Sequence, residues 1–480
     1  MGQAAIWTGL ILLLLLQYSS AAKLVCYFTN WSQYRSGQAA FLPQNVDPFL
    51  CTHLIYAFAD MKDHQLTTFE ANDVQFYKDL NNLKSRNANL KILLAIGGWN
   101  FGTKKFTDMV ARPETRQIFV QSVINFLRQY NFDGFDLDWE YPGSRDSPAV
   151  DKERFTSLVE DLHNAFLQES QKSGKNRLLL SAAVPAGRYF VDRGYEVQKI
   201  SQSLDFINLM TYDFHGTWER TTGHNSPLYR RQAEKGGAAE ANVDFAVNYW
   251  LEKGVPSNKV ILGMPTYGRS FTLSSLSDTG IGASASGAGT PGPFTKEGGI
   301  LAFYEVCTLK GATFHMIAEQ KVPYAVQGNQ WVGFDNVESF KTKVGYLKQK
   351  GLGGAMVWAI DMDDFKGTFC NQGPYPLIQT LKRELGISSA GESPSASESP
   401  SASKSPSASE NPSAREIPSP TQPSKPIPGG NAFCENQENG LYPNPQDPAT
   451  FYNCVGKQTF RLSCPAGLVF NDSCKCCDWP

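Results

Sequence analysis

Three acidic residues alternate with large apolar residues in the segment Asp-Gly-Phe-Asp-Leu-Asp-Trp-Glu-Tyr at positions 133–141. Because successive side chains of a β-strand point to opposite faces, Asp136, Asp138 and Glu140 would share one face at spacings of about 6.6 Å. Neighbouring carboxyl groups repel one another and perturb their pKa values, as general acid–base chemistry requires. An acidic strand face can also be an ordinary solvated surface. We interpret the segment as a candidate acid–base site because three adjacent carboxyl groups oppose folding and are seldom kept for packing alone.

The acidic segment is the fourth of eight short β-rich runs that alternate with helical segments between residues 22 and 387. This alternation predicts an α/β fold, the (β/α)8 TIM barrel, in which active sites lie at the carboxyl ends of the strands. Several runs end in polar or aromatic clusters, which favours the catalytic interpretation. The runs are Leu24–Phe28, His53–Phe58, Lys91–Ile96, Gly134–Trp139, Leu178–Ala183, Phe206–Met210, Val260–Met264 and Gly354–Trp358, and the helical segments include Thr115–Tyr130, Lys152–Gln168, Ala241–Lys253 and Val337–Lys350.

One connection, from about 266 to 337, is too long for a simple loop. It holds the sequence Tyr-Gly-Arg-Ser-Phe at 267–271, a Gly/Ser-rich stretch, and short β-like pieces at Val322–Val326 and Gln330–Phe334. We expect a small inserted α+β subdomain that walls a groove.

The composition narrows the classes of partner. A net charge of -2 gives no electrostatic reason to expect nucleic acid or an anionic membrane surface. Aromatic residues make up 12% of the chain, which suits flat ligands such as sugar rings as well as packed cores. His215 and His224 have no cysteine or carboxylate cluster at ligand spacing, so we expect no metal site.

The amino terminus has the pattern of a secretory signal peptide over residues 1–21. Ile11–Leu16 is an unbroken apolar run, and Ser-Ser-Ala at 19–21 offers small residues for cleavage, although no Lys or Arg precedes Lys23. The apolar run is too short for a membrane span. We therefore expect a secreted, extracellular protein that is not held in a membrane, with a lysosomal location as a further possibility.

Two further regions follow the large globular one. Residues 388–430 are of low complexity, repeat Ser-Pro-Ser-Ala-Ser with a six-residue period over 393–410, and should form an extended spacer. Residues 431–480 carry six of the ten cysteines, and a unit this small needs disulfides in place of a core. Six cysteines allow 15 pairings, so the connectivity is left open. Zinc binding by Cys474, Cys476 and Cys477 is a weaker alternative because secretion favours disulfides.

The acidic motif, the Gly-Gly-Trp run at 97–99 and the eight-run pattern together resemble the chitinases of glycoside hydrolase family 18, in particular the secreted vertebrate members. The cysteine-rich tail resembles a chitin-binding domain of the peritrophin type. The resemblance implies a monomeric endochitinase without cofactor or metal that acts on chitin and chito-oligosaccharides, the β-1,4-linked polymers of N-acetylglucosamine.

The resemblance also implies roles for the acidic residues. Glu140 would be the general acid and base, and its pKa should be raised. Asp138 would hold the acetamido N–H of the substrate and stabilise an oxazolinium intermediate, with Asp136 exchanging proton and charge with it. The acetamido oxygen would itself attack the anomeric carbon, which is the substrate-assisted exception among glycosidases. Tyr212 matches the family residue that hydrogen-bonds the acetamido group, although a buried barrel tyrosine is the ordinary alternative.

Further positions match substrate contacts of the family. Trp358 would stack beneath the sugar at the cleavage point, although a Trp at a strand end can equally be packing. At one distal contact the family carries Trp after Glu, whereas this chain has Ala71, which puts stacking there in doubt. The full set of expected contacts is Tyr27, Trp31, Glu70, Ala71, Gly97, Gly98, Trp99, Asn100, Tyr141, Met210, Thr211, Asp213, Trp218, Arg269 and Trp358.

By family likeness, the barrel cysteines should pair as Cys26–Cys51 and Cys307–Cys370, and all six tail cysteines should be disulfide-bonded, namely Cys434, Cys454, Cys464, Cys474, Cys476 and Cys477. A second class of function stays open, a secreted lectin that binds chitin without cutting it. Because relatives lose activity by replacing the acid that Glu140 represents, its presence favours the enzyme. The sequence leaves the endo or exo preference, processivity, linker glycosylation and the physiological role undetermined.

Overall fold

The structure is a computed structural model that describes residues 22–387 and, in the tail, residues 433–438, 440–455, 457–464, 469–472 and 476–478. The chain divides into two compact units between residues 387 and 388. The expected signal peptide at 1–21 and the Ser/Pro-rich spacer at 388–430 lie outside the described residues, so both stay predictions.

Eight parallel strands close into a barrel, as the alternating pattern predicted. They follow the order β1, β2, β4, β5, β6, β7, β8 and β15, and pairing of β15 with β1 closes the ring. These strands are apolar and almost wholly buried, because helices cover the sheet from outside. They are β1 (Lys23–Thr29), β2 (His53–Lys62), β4 (Lys91–Gly97), β5 (Gly134–Asp138), β6 (Leu179–Pro185), β7 (Phe206–Met210), β8 (Val260–Pro265) and β15 (Gly354–Trp358), and the short β3 (Gln65–Thr67) extends β2 as a hairpin.

The helices lie close to the predicted segments. The segment 337–350 is a helix over its full predicted range, and Asn336 caps it by accepting a hydrogen bond from the Ser339 backbone N–H at 2.9 Å. The other three predicted helices differ from their segments by a few residues at one or both ends. Within residues 22–387 the α-helices are α1 (Asp73–Asn82), α2 (Lys104–Val110), α3 (Pro113–Gln129), α4 (Asp151–Ser173), α5 (Arg188–Gly194), α6 (Val197–Ser203), α7 (Val243–Glu252), α8 (Phe303–Val306), α9 (Val337–Lys350) and α10 (Pro376–Leu385).

The long connection between β8 and β15 folds as a separate antiparallel sheet. Its strands follow the order β10, β9, β14, β13, β12, with β11 also paired to β9. The helical part is the four-residue α8, so the subdomain is mostly β. Its strands are β9 (Tyr267–Leu273), β10 (Ala285–Ala288), β11 (Ile300–Ala302), β12 (Thr313–Ile317), β13 (Val322–Gln327) and β14 (Gln330–Gly333).

The tail unit is small and rich in β-structure. It has a three-stranded sheet of β16 (Gly440–Pro443), β17 (Thr450–Val455) and β18 (Gln458–Ser463), and a pair formed by β19 (Val469–Asn471) and β20 (Cys476–Asp478). Within the ranges described above, no helix is long and apolar enough to cross a membrane.

The disulfides in the barrel unit follow the family pairing. Cys26 bonds Cys51 and Cys307 bonds Cys370, with Cα–Cα distances of 6.2 and 5.5 Å. In the tail, Cys434 is bonded to Cys454, and Cys464 is also disulfide-bonded. Cys474 and the side chains of Cys476 and Cys477 lie outside the described residues.

Candidate active site

The three acidic residues lie at the carboxyl end of β5, inside the barrel. Asp136 and Asp138 are buried, and Glu140 is partly exposed two residues beyond the strand end. The neighbouring strand approaches very closely here: Gly98 N–H donates to the Asp138 carbonyl oxygen at 2.8 Å. A Cβ on Gly97 would lie 1.9 Å from the same oxygen, so this position excludes a side chain. The two glycines thus fit β4 against the backbone of the acidic segment.

Asp136 is held by three side-chain donors. Ser181 Oγ donates to its Oδ1 at 2.6 Å and Tyr27 Oη donates to its Oδ2 at 2.7 Å. Asn208 Nδ2 donates to Oδ1 at 3.3 Å and also reaches Tyr27 Oη at 3.2 Å. Burial raises the pKa of Asp136 to about 6, and these donors oppose the rise because they stabilise the ionised form.

Asp138 lies between the other two acidic residues and is less satisfied. Its Oδ1 atom is buried and has no hydrogen-bond partner within the described part of the chain. Burial, followed by the charges of Glu140 and Asp136, raises the pKa of Asp138 well above its ordinary value. The residue is therefore a buried carboxyl group with one oxygen whose hydrogen-bonding capacity is not satisfied by any described residue.

Glu140 has the pKa expected of an acid that works near neutrality. Burial raises the pKa of Glu140 to about 7, while a hydrogen bond from Tyr141 and the charge of Arg145 oppose the rise. The charge of Asp213 adds to it. At pH values below 7 the protonated form therefore predominates, which is the form that can donate a proton.

The segment after β7 brings a second group of polar side chains to the same end of the barrel. Tyr212 is buried, and its Oη donates a weak bond to Met356 Sδ at 3.7 Å. Asp213 has a φ of 57° and accepts hydrogen bonds from Tyr267 Oη and Arg269 Nε, both at 2.7 Å. Tyr267 and Arg269 belong to β9, so the inserted subdomain supplies one wall of the site.

The predicted contacts Met210 and Thr211 occupy different environments. Met210, the last residue of β7, is partly exposed. Thr211 is buried, and its Oγ1 donates to the Gly263 carbonyl oxygen at 2.7 Å. Its hydroxyl is thus already used inside the barrel.

Four aromatic rings form a cluster at the barrel mouth. Trp358 lies 5.1 Å from Tyr27, 5.9 Å from Phe58 and 6.2 Å from Trp31, measured between ring centroids. Trp31 is 39% exposed and Trp358 partly exposed, so the cluster presents ring surface to solvent. Because Tyr27 also donates to Asp136, this aromatic floor adjoins the acidic residues.

Two further tryptophans are exposed, each beside an arginine. Trp99 is 57% exposed, and the Arg145 guanidinium lies 3.4 Å from its ring centroid. Arg145 also donates to the Glu140 carbonyl oxygen at 2.8 Å, which connects this ring to the candidate acid. Trp218 is 60% exposed and lies 5.4 Å from the guanidinium of Arg269. Asn100, next to Trp99, is exposed as well.

Glu70 and Ala71 lie on the Trp31 side of the cluster. Tyr34 Oη, from the turn that carries Trp31, donates to Glu70 Oε2 at 2.5 Å. Burial raises the pKa of Glu70 to about 7. Ala71 is exposed and offers no ring, as its residue type predicted.

The sequence interpretation missed several residues that contact the expected ones, among them Ser181, Asn208, Phe58 and Arg145. Ser181 and Asn208 interrupt apolar barrel strands, and a polar residue in such a strand is itself a signal of an interior contact. Phe58 and Arg145 gave no comparable signal, because their roles depend on contacts with distant Trp residues. Across the described ranges, no group of three or more His, Cys, Asp or Glu residues is arranged to hold a metal ion.

Comparison with known protein families identifies the enzyme family to which the chain belongs. The family model described as Glycosyl hydrolases family 18 matches residues 23–363. The chain belongs to glycosyl hydrolases family 18. A second model, the Chitin binding Peritrophin-A domain, matches residues 434–480. The chain is thus a family 18 enzyme of the chitinase class with a chitin-binding domain, as the sequence predicted.

Its relatives include proteins named as chitinases and one described as a pseudo-chitinase. Mouse chitotriosidase-1 is 60% identical over 480 residues, covering all of both chains, and human chitinase-3-like protein 2 is 52% identical over 389 residues, covering 80% of this chain and 98% of that one. Human YKL-39, described as a pseudo-chitinase with retained chitooligosaccharide binding, has a structure with a TM-score of 0.74 at 52% identity, covering 76% of this chain and all of the other. An Ostrinia furnacalis group IV chitinase in complex with allosamidin has a TM-score of 0.72 at 38% identity, with coverages of 76% and 99%.

Proposed function

We propose that this protein hydrolyses β-1,4 linkages within polymers of N-acetylglucosamine by a substrate-assisted mechanism that retains the anomeric configuration. The observation that carries the proposal is the Asp138 carboxyl group, which is buried between Asp136 and Glu140 with an unpartnered Oδ1. An acetamido N–H of the substrate is a donor of the right kind for that oxygen. The same contact would orient the acetamido oxygen toward the anomeric carbon.

In the first step, the acetamido oxygen attacks the anomeric carbon and the glycosidic bond breaks. Glu140 gives its proton to the departing glycosidic oxygen, and an oxazolinium ring with a positive charge remains. Asp138, ionised in this step, stabilises the positive charge, and its Oδ1 accepts the acetamido N–H because no other donor occupies that atom. Asp136 takes up the proton of Asp138 in this step and returns it afterwards, while Tyr27, Ser181 and Asn208 hold Asp136 in place by hydrogen bonds.

In the second step, water attacks the anomeric carbon from the side that the leaving group vacated. Glu140, now ionised, accepts a proton from that water, and the acetamido group returns to its starting form. Two displacements at the same carbon give net retention. Glu140 ends protonated, so the cycle closes without a cofactor.

The exposed aromatic rings support an extended substrate. Trp358, with Trp31 and Tyr27 beside it, would stack beneath the sugar at the cleavage point, while Trp99 and Trp218 would stack against neighbouring sugars. Tyr212 and Asp213 would bind the acetamido group, and Glu70, Asn100, Tyr141 and Arg269 would contact sugar hydroxyls. At Gly97 and Gly98 the neighbouring atoms leave no room for a side chain, and this close backbone packing would keep the acidic segment in place.

We also propose that the protein is secreted as a monomer, with residues 22–387 as the catalytic unit and 388–430 as a spacer. The unit at 431–480 would hold the enzyme on insoluble chitin and raise its effective concentration there. The pattern at 1–21 and three disulfide pairs fit an oxidising compartment.

A non-hydrolytic lectin is the second candidate, because a human relative at 52% identity is described as a pseudo-chitinase. Glu140→Gln separates the two functions. We expect this variant to lose turnover of chitotetraose by at least a thousandfold while keeping its binding, with Glu160→Gln on the exposed face of α4 as the matched control. Retained turnover in Glu140→Gln would refute the assignment of the acid, and absence of turnover in the unmodified protein would establish the lectin.

A further inference from the structure

A cavity of about 680 Å³ lies between α7 and the segments around Arg188 and Tyr229. Its lining does not include the acidic residues of the catalytic site. Positively charged side chains (Arg188 and Arg230) and negatively charged ones (Glu240 and Glu252) both line the cavity. The cavity therefore has no strong preference for a charged ligand. A neutral ligand with many hydroxyl groups suits this mixture of donors and acceptors.

Two aromatic rings of α7 form one wall of this cavity. Phe245 and Tyr249 lie one helical turn apart, with ring centroids 5.7 Å apart and planes only 12° from parallel. The Arg188 guanidinium lies 5.0 and 4.9 Å from their centroids, and Arg188 pairs with Glu240 at 3.1 Å. The two planes are nearly parallel and offset, Phe245 is partly exposed and Tyr249 is buried behind it. An aromatic wall beside charged hydrogen-bonding groups is a combination that can bind the apolar face and the hydroxyl rim of a sugar.

One short segment, 188–190, lies between the cavity lining and the catalytic site. Tyr141, next to Glu140, has its ring 4.6 Å from that of Phe190. Phe190 contacts Tyr189 at 5.2 Å, and Tyr189 is 62% exposed. Arg188 comes directly before Tyr189, at the carboxyl end of β6 where the catalytic residues also lie. A sugar chain leaving the site past Tyr141 would therefore follow exposed aromatic surface toward the cavity.

We propose that this cavity is a second carbohydrate site that binds N-acetylglucosamine units of the polymer outside the catalytic groove. The inference rests on the proposed function for its ligand class. Its rings and ion pairs are independent of the three acidic residues, so it can fail while the catalytic assignment stands.

The test uses hydrogen–deuterium exchange on the full-length Glu140→Gln protein with saturating chitohexaose. We expect the loop peptide 229–242, which lines the cavity, to become protected together with the catalytic segment 134–141. Adding Asn248→Trp, which fills the cavity from an exposed position, should abolish protection of 229–242 and leave 134–141 protected. Adding Lys199→Ala, at an exposed lysine on α6 outside the cavity, should change neither.

Unchanged exchange of 229–242 while 134–141 is protected would overturn the second site. A kinetic measurement gives an independent decision: Arg188→Ala should raise KM for a soluble long-chain chitin at least threefold relative to Lys199→Ala, and equal KM values would refute the proposal. Hydrolysis of chitotetraose by the unmodified protein reports the catalytic function separately.

Discussion

The burial of Glu140 predicts that the candidate acid destabilises the fold at neutral and alkaline pH. Its pKa is raised from 4.5 to about 7, so the folded protein holds the proton more tightly than the unfolded chain does. The stability that this proton contributes is complete below pH 4.5 and is lost as the pH rises through 7. Glu140→Gln removes the ionisable group, so the variant should gain stability relative to the unmodified protein as the pH rises from 4.5 through 7.

The magnitude follows from the two pKa values. A difference of about 2.5 pH units, at about 1.4 kcal/mol per unit, corresponds to roughly 3 to 4 kcal/mol over the whole titration, most of which falls between pH 4 and pH 8. Relative to the unmodified protein, the free energy of unfolding of Glu140→Gln should therefore rise by ~3 kcal/mol between pH 4 and pH 8. Whatever constant effect the amide has on packing cancels in this comparison between two pH values.

The assay is urea unfolding followed by tryptophan fluorescence at pH 4, 6 and 8. Glu160→Gln is the control, because Glu160 is exposed on α4 of the same barrel. The control should show a pH-independent difference near zero. A difference for Glu140→Gln that stays constant with pH, or that falls as the pH rises, would refute the argument that burial keeps this carboxyl group protonated.

Three other perturbations test different parts of the site. Tyr27→Phe keeps the ring beside Trp358 but removes a hydrogen bond to Asp136, which should raise the pKa of Asp136 by roughly one unit. The acid limb of the kcat/KM profile should then move to higher pH, and activity at pH 5 should fall about tenfold. An unchanged pH profile would contradict the role of the hydroxyl. Removing residues 388–480 should leave hydrolysis of soluble oligosaccharides intact and reduce hydrolysis of insoluble chitin at least threefold, and equal losses on both substrates would argue against an anchoring tail. Ala71→Trp should lower KM for chitohexaose about threefold and leave KM for chitobiose conjugates unchanged, because an added ring can stack only on a distal sugar. An unchanged KM for chitohexaose would show that Ala71 does not line the binding groove.

The pattern of the sequence predicted the barrel well because each strand is an apolar run between clear turn residues. It also predicted that Asp136, Asp138 and Glu140 would share a face, since alternation in a strand depends only on local geometry. The sequence pattern did not predict the donors that hold Asp136. Ser181 and Asn208 come from strands 45 and 72 residues away along the chain, and only closure of the barrel brings them together.

The sequence also does not show the environment of each site residue in the folded protein. The motif indicates three acidic residues but does not show that the Oδ1 atom of Asp138 lacks a donor, or that Arg145 stacks on Trp99 beside the Glu140 backbone. These features depend on loop conformations after β4 and β5, where residues such as Arg145 adopt a positive φ of 52°. The cavity beside α7 was missed for the same reason, because Arg188 and Tyr249 meet only in the folded chain.

The most direct test of the central claim is anomer-resolved NMR during hydrolysis of chitotetraose by the unmodified protein. We expect the β-anomer of the new reducing end to appear first and to mutarotate slowly to the equilibrium mixture, because the acetamido oxygen and then water attack the same carbon. Early appearance of the α-anomer would show inversion and contradict the substrate-assisted mechanism with Asp138 and Glu140.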